Sequence, residues 1–274
     1  MQQTYRETRR RFFDHPGVRI EGAAARTGRN CRTPEALTPE LQIVLTLRGA
    51  FVYERGSSRF LLTANQALFI APGDVSRDRF VDGNPLDYML VTPHPELVGA
   101  LVGERVAGEM RKMRDTRVSG ASARLQHAAS ALWNLCHRSG SHDNTELAES
   151  VVDVLSLLFS SPAPRGRAGR GQSSLIGAAK ELIGAGRERW SLTGIAAQLQ
   201  VSPAYLTDLF RRHEGVSIAR YQRRLRLSRA LVELPHTEDI AALALDLGFS
   251  SHAHFSTAFR ATYGETPSRY RERF

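Results

Sequence analysis

Two short stretches hold the side chains whose types and spacing have the clearest chemical use. One is Ala204, Thr207, Asp208 and Arg211; the other is His252, Ala253, Ser256, Thr257 and Arg260. Spacings of three and four residues put each set on one face of a helix. The small members suit methyl contacts to thymine or single hydrogen bonds to a base edge, not the bidentate grip that long planar groups make on purines. Asp208 has two equal readings: it accepts from a cytosine amino group, or it orients Arg211 or Arg212. Catalytic chemistry has no comparable set. Residues 41–91 contain no histidine, so imidazole and carboxylate ligands have no means of converging there on a metal. Cys31 and Cys136 form no CxxC and have no histidine partner at a useful spacing. Nucleophile-elbow, P-loop and dinucleotide fingerprints are lacking. The expectation is a chain that is not an enzyme, with no metal and no cofactor.

The elements that must position the two sets are written twice. Leu192, Ile195, Ala196 and Leu199 recur 48 residues later as Ile240, Leu243, Ala244 and Leu247, each a short amphipathic helix. Leu206, Phe210, Gly215 and Tyr221 recur 49 residues later as Phe255, Phe259, Gly264 and Tyr270, and the extra residue falls in the turn. Ser202-Pro203 supplies an N-cap and a proline at the first helical position. In the second copy Gly248-Phe249 makes the turn and Ser250 or Ser251 caps. Two short helices joined by a tight turn, the second well capped, form a helix-turn-helix, over about 192–213 and again over about 240–263. Between the copies, Ile218 to Leu234 reads as one helix of roughly 25 Å at ~1.5 Å per residue. With its flanking elements it can hold two recognition helices about one DNA turn, ~34 Å, apart. Pro235 ends it.

Charge follows the same division. The formal charge is +9; residues 165–274 hold 17 Arg or Lys against 10 acids, and the rest of the chain is nearly balanced. A basic end that coincides with the helix-turn-helix pair suits phosphate binding. Arg212, Arg220, Arg223, Arg224 and Arg260 are the candidates for phosphate contacts, which position a protein without reading sequence.

Residues 173–274 resemble the DNA-binding domain of the AraC/XylS family of bacterial transcription regulators. The blocks that carry the resemblance are Leu192 to Ala196, Ser202 to Leu206, Leu209 to Arg212, the Tyr221 to Leu231 helix, Leu247 to Ser250, Phe255 to Arg260, and Tyr263 to Arg271. Gln200 departs from it, standing where the family often has glycine, which predicts a looser first turn. The resemblance implies that Ala204, Thr207 and Asp208 are base-reading, with Ala253 and Thr257 as their counterparts beside His252 and Ser256. It also implies double-stranded DNA as partner, a contact with RNA polymerase, and activation as the commoner mode, although no residue sets the sign.

Upstream, Ser160 to Ser174 has no apolar face and reads as a flexible basic linker between domains at 1–159 and 175–274. Leu41, Ile43, Leu45 and Leu47 alternate with mostly polar neighbours; short runs through Phe51, Tyr53, Phe60, Leu62, Leu68 and Ile70 follow, and Tyr88 to Val91 begins another strand. This predicts a small barrel or double-sheet roll, and the pattern around Gly49 and Ala71-Pro72-Gly73-Asp74 resembles the cupin-like sensor domain of the same family. The fold class expected is α+β in two domains: a cupin-like β-barrel with trailing helices, then an all-α domain with two helix-turn-helix motifs on a long helix. Phe51, Tyr53, Phe60, Phe69 and Tyr88, with Arg79 for an anionic group, are the candidates for lining a small-molecule effector pocket.

Helical spacing returns at Glu96–Gly108, Ala121–His137 and Thr145–Phe159. The last places Leu147, Val151, Val154, Leu155 and Leu158 on one side, a core stripe or, as the resemblance implies, the contact of a homodimer. No run approaches the ~18 apolar residues of a membrane span and the Arg-rich start lacks a secretory core, so a cytoplasmic protein with no membrane partner is expected. Two other readings compete: a cupin-type or cysteine-using enzyme, and a constitutive DNA binder whose barrel only dimerises.

Overall fold

A computed structural model describes residues 5–27, 31–81, 85–138, 144–160, 170–185 and 190–274. The N-terminal half is two packed sheets. One contains β1 (Tyr5–His15), β2 (Val18–Thr27), β4 (Gln42–Arg48), β7 (Gln66–Ile70), β9 (Leu86–Pro93) and β10 (Arg117–Gly120); the other contains β3 (Ala36–Leu37), β5 (Ala50–Arg55), β6 (Ser58–Thr63) and β8 (Val75–Phe80). Their orders are β1-β2-β9-β4-β7-β10 and β3-β8-β5-β6, with antiparallel pairing throughout. Strand β4 is buried on both faces because both faces are covered. Its Val44 joins Phe51, Tyr53, Leu62, Leu68, Phe80 and Tyr88 between the sheets, while Ile43, Leu45 and Leu47 meet helices on the other side.

Strands β1 and β2 lie outside the sheet predicted from Leu41 onward. Gly22 to Ala25 lacks the branched and aromatic residues that signal a strand. Pairing with β9 decides it, and the Phe12 ring lies directly over Gly22, where a Cβ would fall 2.0 Å from it. Small residues are what this close approach requires.

The trailing helices are α1 (Pro95–Val102), α2 (Glu104–Arg111), α3 (Ala123–His137) and α4 (Asn144–Ser160). The single helix expected over 96–108 breaks at Gly103, whose φ of 96° no helix admits. The stripe Leu147, Val151, Val154, Leu155 and Leu158 is buried among Ile43, Phe69, Leu132 and Met89. It is core of the chain's own, so these five side chains are unavailable to a second copy. A glutamate at Val151 or Leu155 would bury a carboxylate and unfold the domain, not release monomers.

The C-terminal half comprises α5 (Arg170–Ala185), α6 (Leu192–Gln198), α7 (Pro203–Glu214), α8 (Ile218–Glu233), α9 (Ile240–Asp246), α10 (His252–Tyr263) and α11 (Pro267–Glu272). Helix α4 extends through Ser160 and α5 begins at Arg170, so both ends of the predicted linker are helical; its residues 161–169 lie outside the described residues. Ile176, Ala179 and Ile183 of α5 pack with Leu206, Phe210 and Tyr221, and α8 supplies Leu227 and Leu231 to the cluster of Phe255, Phe259 and Tyr270. Thus α8 closes the first unit and opens the second. No helix among the described residues is long and apolar enough to cross a membrane.

Candidate nucleic-acid interface

Each recognition helix is placed by the same local chemistry. Ser202 accepts from the Tyr205 amide at 3.2 Å to start α7, and Ser251 accepts from the His254 amide at 3.1 Å to start α10. Ser251 is therefore the cap, and Ser250 is the extra residue of the second turn, its hydroxyl 3.0 Å from Nδ1 of His254. Both helices stop at left-handed glycines, Gly215 (φ 73°) and Gly264 (φ 85°). The next helices are capped alike by Ser217 and Thr266.

The two turns have equivalent hydrogen bonds. Gln200 donates to Ala197 and Val201 to Ala196 in the first; Gly248 donates to Leu245 and Phe249 to Ala244 in the second. Gln200 sits at φ 56°, the left-handed region that Gly248 occupies at 84°. The looser first turn expected from glutamine is thus not found: the turn keeps its geometry and the residue takes the strain.

Leu206, Leu209 and Phe210 of α7 and Phe255 and Phe259 of α10 are buried, which leaves the opposite faces to solvent. Ala204, Asp208, Arg211, His252, Ala253, Thr257 and Arg260 are exposed there; Thr207 and Ser256 are half-buried. The Thr207 hydroxyl donates to the Pro203 carbonyl at 2.8 Å, and Ser256 Oγ lies 3.3 Å from His252 Nε2. Asp208 pairs with Arg212 at 2.6 Å, so in the DNA-free protein it orients that arginine.

Arg220 and Arg223 are exposed on α8. Arg224 is not placed with them. Its guanidinium donates to the Ala121 carbonyl of the N-terminal domain, and burial, ahead of nearby Arg220, lowers its pKa. As placed, it belongs to a seam between the domains and not to a phosphate-facing surface.

That seam is polar and buried, and nothing in the sequence periodicity marks it. Asn65 donates to the Tyr221 carbonyl at 3.3 Å and Asn134 to the Leu231 carbonyl at 2.8 Å, so two amides hold α8 at points ten residues apart. The Tyr221 hydroxyl lies 3.0 Å from Thr63 Oγ1, and the Tyr270 hydroxyl accepts from Asn134 at 3.0 Å. His127 meets Glu265 at 2.7 Å. Burial raises the Glu265 carboxyl, but hydrogen bonds from Arg273 and His127 outweigh it and hold the group below the usual range. The one visible signal was Asn134 inside the apolar run Leu132-Trp133-Asn134-Leu135.

The effector candidates divide. Phe51, Tyr53 and Tyr88 are buried between the sheets with Phe60 packed against them. Phe69 points the other way, because its strand neighbours Leu68 and Ile70 face that cluster and alternation turns Phe69 toward α4, 6.1 Å from the Phe159 ring. Arg79 is paired with Glu54 at 3.3 Å and with Glu181 of α5 at 3.1 Å, so its charge is already met. Among the described residues no group of three or more His, Cys, Asp or Glu could hold a metal ion.

Comparison with known proteins accounts for both halves. Residues 19–155, half of the chain, match the family described as the AraC-like ligand binding domain, and residues 195–273 match a helix-turn-helix domain family. The chain belongs to the AraC family. It is a DNA-binding transcription regulator with the AraC pairing of a ligand-binding domain and a helix-turn-helix domain. The transcriptional activator RhaR of Mannheimia succiniciproducens is 24% identical over 236 residues, 85% of each chain. The activator RhaS of Pectobacterium atrosepticum is 25% identical over 257 residues, 88% of this chain and 90% of that one. A crystal structure of an AraC-type DNA-binding regulator from Chromobacterium violaceum is 32% identical, covers 38% of this chain and 96% of that one, and has a TM-score of 0.35. The AraC assignment makes the exposed faces of α7 and α10 the surfaces of interest.

Proposed function

We propose that this AraC-family regulator reads a bipartite operator in the cytoplasm, with α7 and α10 entering major-groove segments about one turn, ~34 Å, apart. The observation that carries the reading is the duplicated geometry: two capped helices with the same turn hydrogen bonds, each burying its phenylalanines and exposing a small polar face. Ala204, Thr207, Asp208 and Arg211 would read one segment, and His252, Ala253, Ser256 and Thr257 the other. Arg212, Arg220, Arg223 and Arg260 would hold phosphates. Homodimerisation, an effector in the N-terminal domain, and activation through RNA polymerase complete the proposal; the two relatives matched over most of their length are named as activators.

The test is selection of genomic fragments by the purified protein at stated salt, since affinity without salt is uninterpretable, followed by footprinting. Two protected segments about one turn apart support the reading. Uniform, salt-labile binding without a preferred fragment counts against it, and sedimentation of the same protein reports the dimer.

A further inference from the structure

Outside the sheet-to-sheet cluster, a cleft of about 450 Å³ opens between α2, the last turn of α4 and the outer face of β7 and β10. That volume lies in the range of about 300–1,000 Å³ found for small-molecule sites, which combine apolar walls with a few placed polar groups. The walls here are Leu41, Phe69, Val106, Met110, Met113 and Phe159. The two methionines are unbranched and polarizable, and they adapt to flat or irregular apolar bodies.

Charge at the rim is unbalanced. Arg105 is cancelled by Glu109 one turn along α2, at 2.6 Å. Arg117 is opposite Phe69 in the β7–β10 ladder, with its guanidinium carbon 4.9 Å from the ring centroid. Among the described residues no carboxylate stands within ion-pair distance of it, and its exposed neighbour Asp115 is directed toward Arg55 at 4.0 Å. A stacked guanidinium above an apolar pocket presents its donors to a planar anion.

We infer that this cleft binds a small amphipathic monoanion, its carboxylate on Arg117 and its apolar body against Phe69, Met110 and Met113. The chain's own next segment is a poor occupant. Residues 161–169 read Ser-Pro-Ala-Pro-Arg-Gly-Arg-Ala-Gly, which has no large apolar group to fill the cleft and two arginines that Arg117 repels. The site is distinct from the sheet-to-sheet cluster, since Phe69 faces away from it. Ser160, where α4 ends and the chain departs toward the DNA-binding half, also lines the cleft, so an occupant braces that departure point. This last consequence rests on reading the chain as an effector-controlled regulator; binding itself does not.

Calorimetry of the full chain without DNA tests the inference, with 2-naphthoate and its neutral isostere 2-naphthamide as probes. Naphthoate should bind about tenfold more tightly, as a charged hydrogen bond at an exposed arginine gives. Arg117→Gln should erase that preference, Arg117→Lys should keep most of it, and Val106→Trp should weaken both probes by filling the cleft. Equal affinity for the two probes, an undiminished preference in Arg117→Gln, or no binding of either overturns the inference. Footprinting without naphthoate judges the regulator reading separately.

Discussion

The two helix-turn-helix units are alike in their bonds and unlike in what they spend to make them. The second turn uses Gly248 in the left-handed region, where glycine is at ease; the first forces Gln200 into the same conformation. The ties to the N-terminal domain also differ. Repeat-equivalent tyrosines, Tyr221 and Tyr270, both hydrogen-bond across the seam, each with its ring edge-on to the phenylalanine of its own recognition helix, Phe210 or Phe259. On the first unit the partners are Thr63 and Asn65, with an ion pair between Arg79 and Glu181 of α5; on the second they are Asn134 and the contact of His127 with Glu265. Their reading faces differ as well: α7 carries Asp208 and its pairing to Arg212, whereas α10 has histidines and an arginine with no carboxylate. Duplication has kept the scaffold and let the strain, the seam and the charge diverge.

The comparison can be broken first at the cores. Phe210→Ala and Phe259→Ala should each cost about 3–5 kcal/mol, because both rings are fully buried. Since α8 is shared, each variant should lower one common melting transition of the C-terminal half. Two separable transitions in calorimetry would mean the units fold independently.

Reading should separate from holding. Thr257→Ala should change preference at one base pair by about 1–3 kcal/mol. Arg260→Ala should weaken all sequences alike and lower the salt slope by about 1. A site-selection experiment that gave the reverse pattern would undo the assignment of α10.

The turns supply a smaller, oppositely signed pair. Gly248→Ala should destabilise by about 1–2 kcal/mol, the left-handed penalty of a side chain. Gln200→Gly should stabilise by less than about 1 kcal/mol, relief of strain being offset by the freedom glycine has when unfolded. Equal responses in denaturant melts would show that the turns are not equivalent.

The smallest expected effect concerns acid. Glu265 has a lowered pKa in the folded protein, so its contribution is complete above the ordinary carboxylate value of 4.5 and is lost as pH falls through the folded value. Melting temperature between pH 6 and pH 3 should therefore drop more for the native chain than for Glu265→Gln. Parallel curves would remove the Glu265 contacts with Arg273 and His127 from the list of differences between the units.

Legibility followed the range of the interactions. Helices α3, α4 and α6 to α10 were readable because capping serines, prolines and three-to-four spacing act within a few residues. The break at Gly103 is a local one that helical spacing alone does not show, since glycine readily takes the positive φ found there, whereas at Gln200 the turn imposes a left-handed conformation that glutamine does not favour. Strand β2 was invisible because its glycine and alanines carry no strand signal until Phe12 of β1 and strand β9 lie against them, and β1 is set by its pairing with β2. Among the expected sites, the recognition faces could be read as the side of each helix left after burial. Arg224 and Arg79 could not, since nothing in their spacing says which surface the other domain covers; for Phe69 and the α4 stripe the spacing shows an apolar face and leaves open what packs on it.

The chain's sequence by itself determined the duplicated helical scaffold, its caps and the side chains each recognition helix presents, because these follow from contacts three to five residues apart. Tertiary structure alone decided that Asn65 and Asn134 hold α8, which residues cover the α4 stripe, and that no carboxylate among the described residues reaches Arg117 above an apolar cleft. Those outcomes depend on burial between segments tens to more than a hundred residues apart, and no short-range pattern encodes which charge will find a partner.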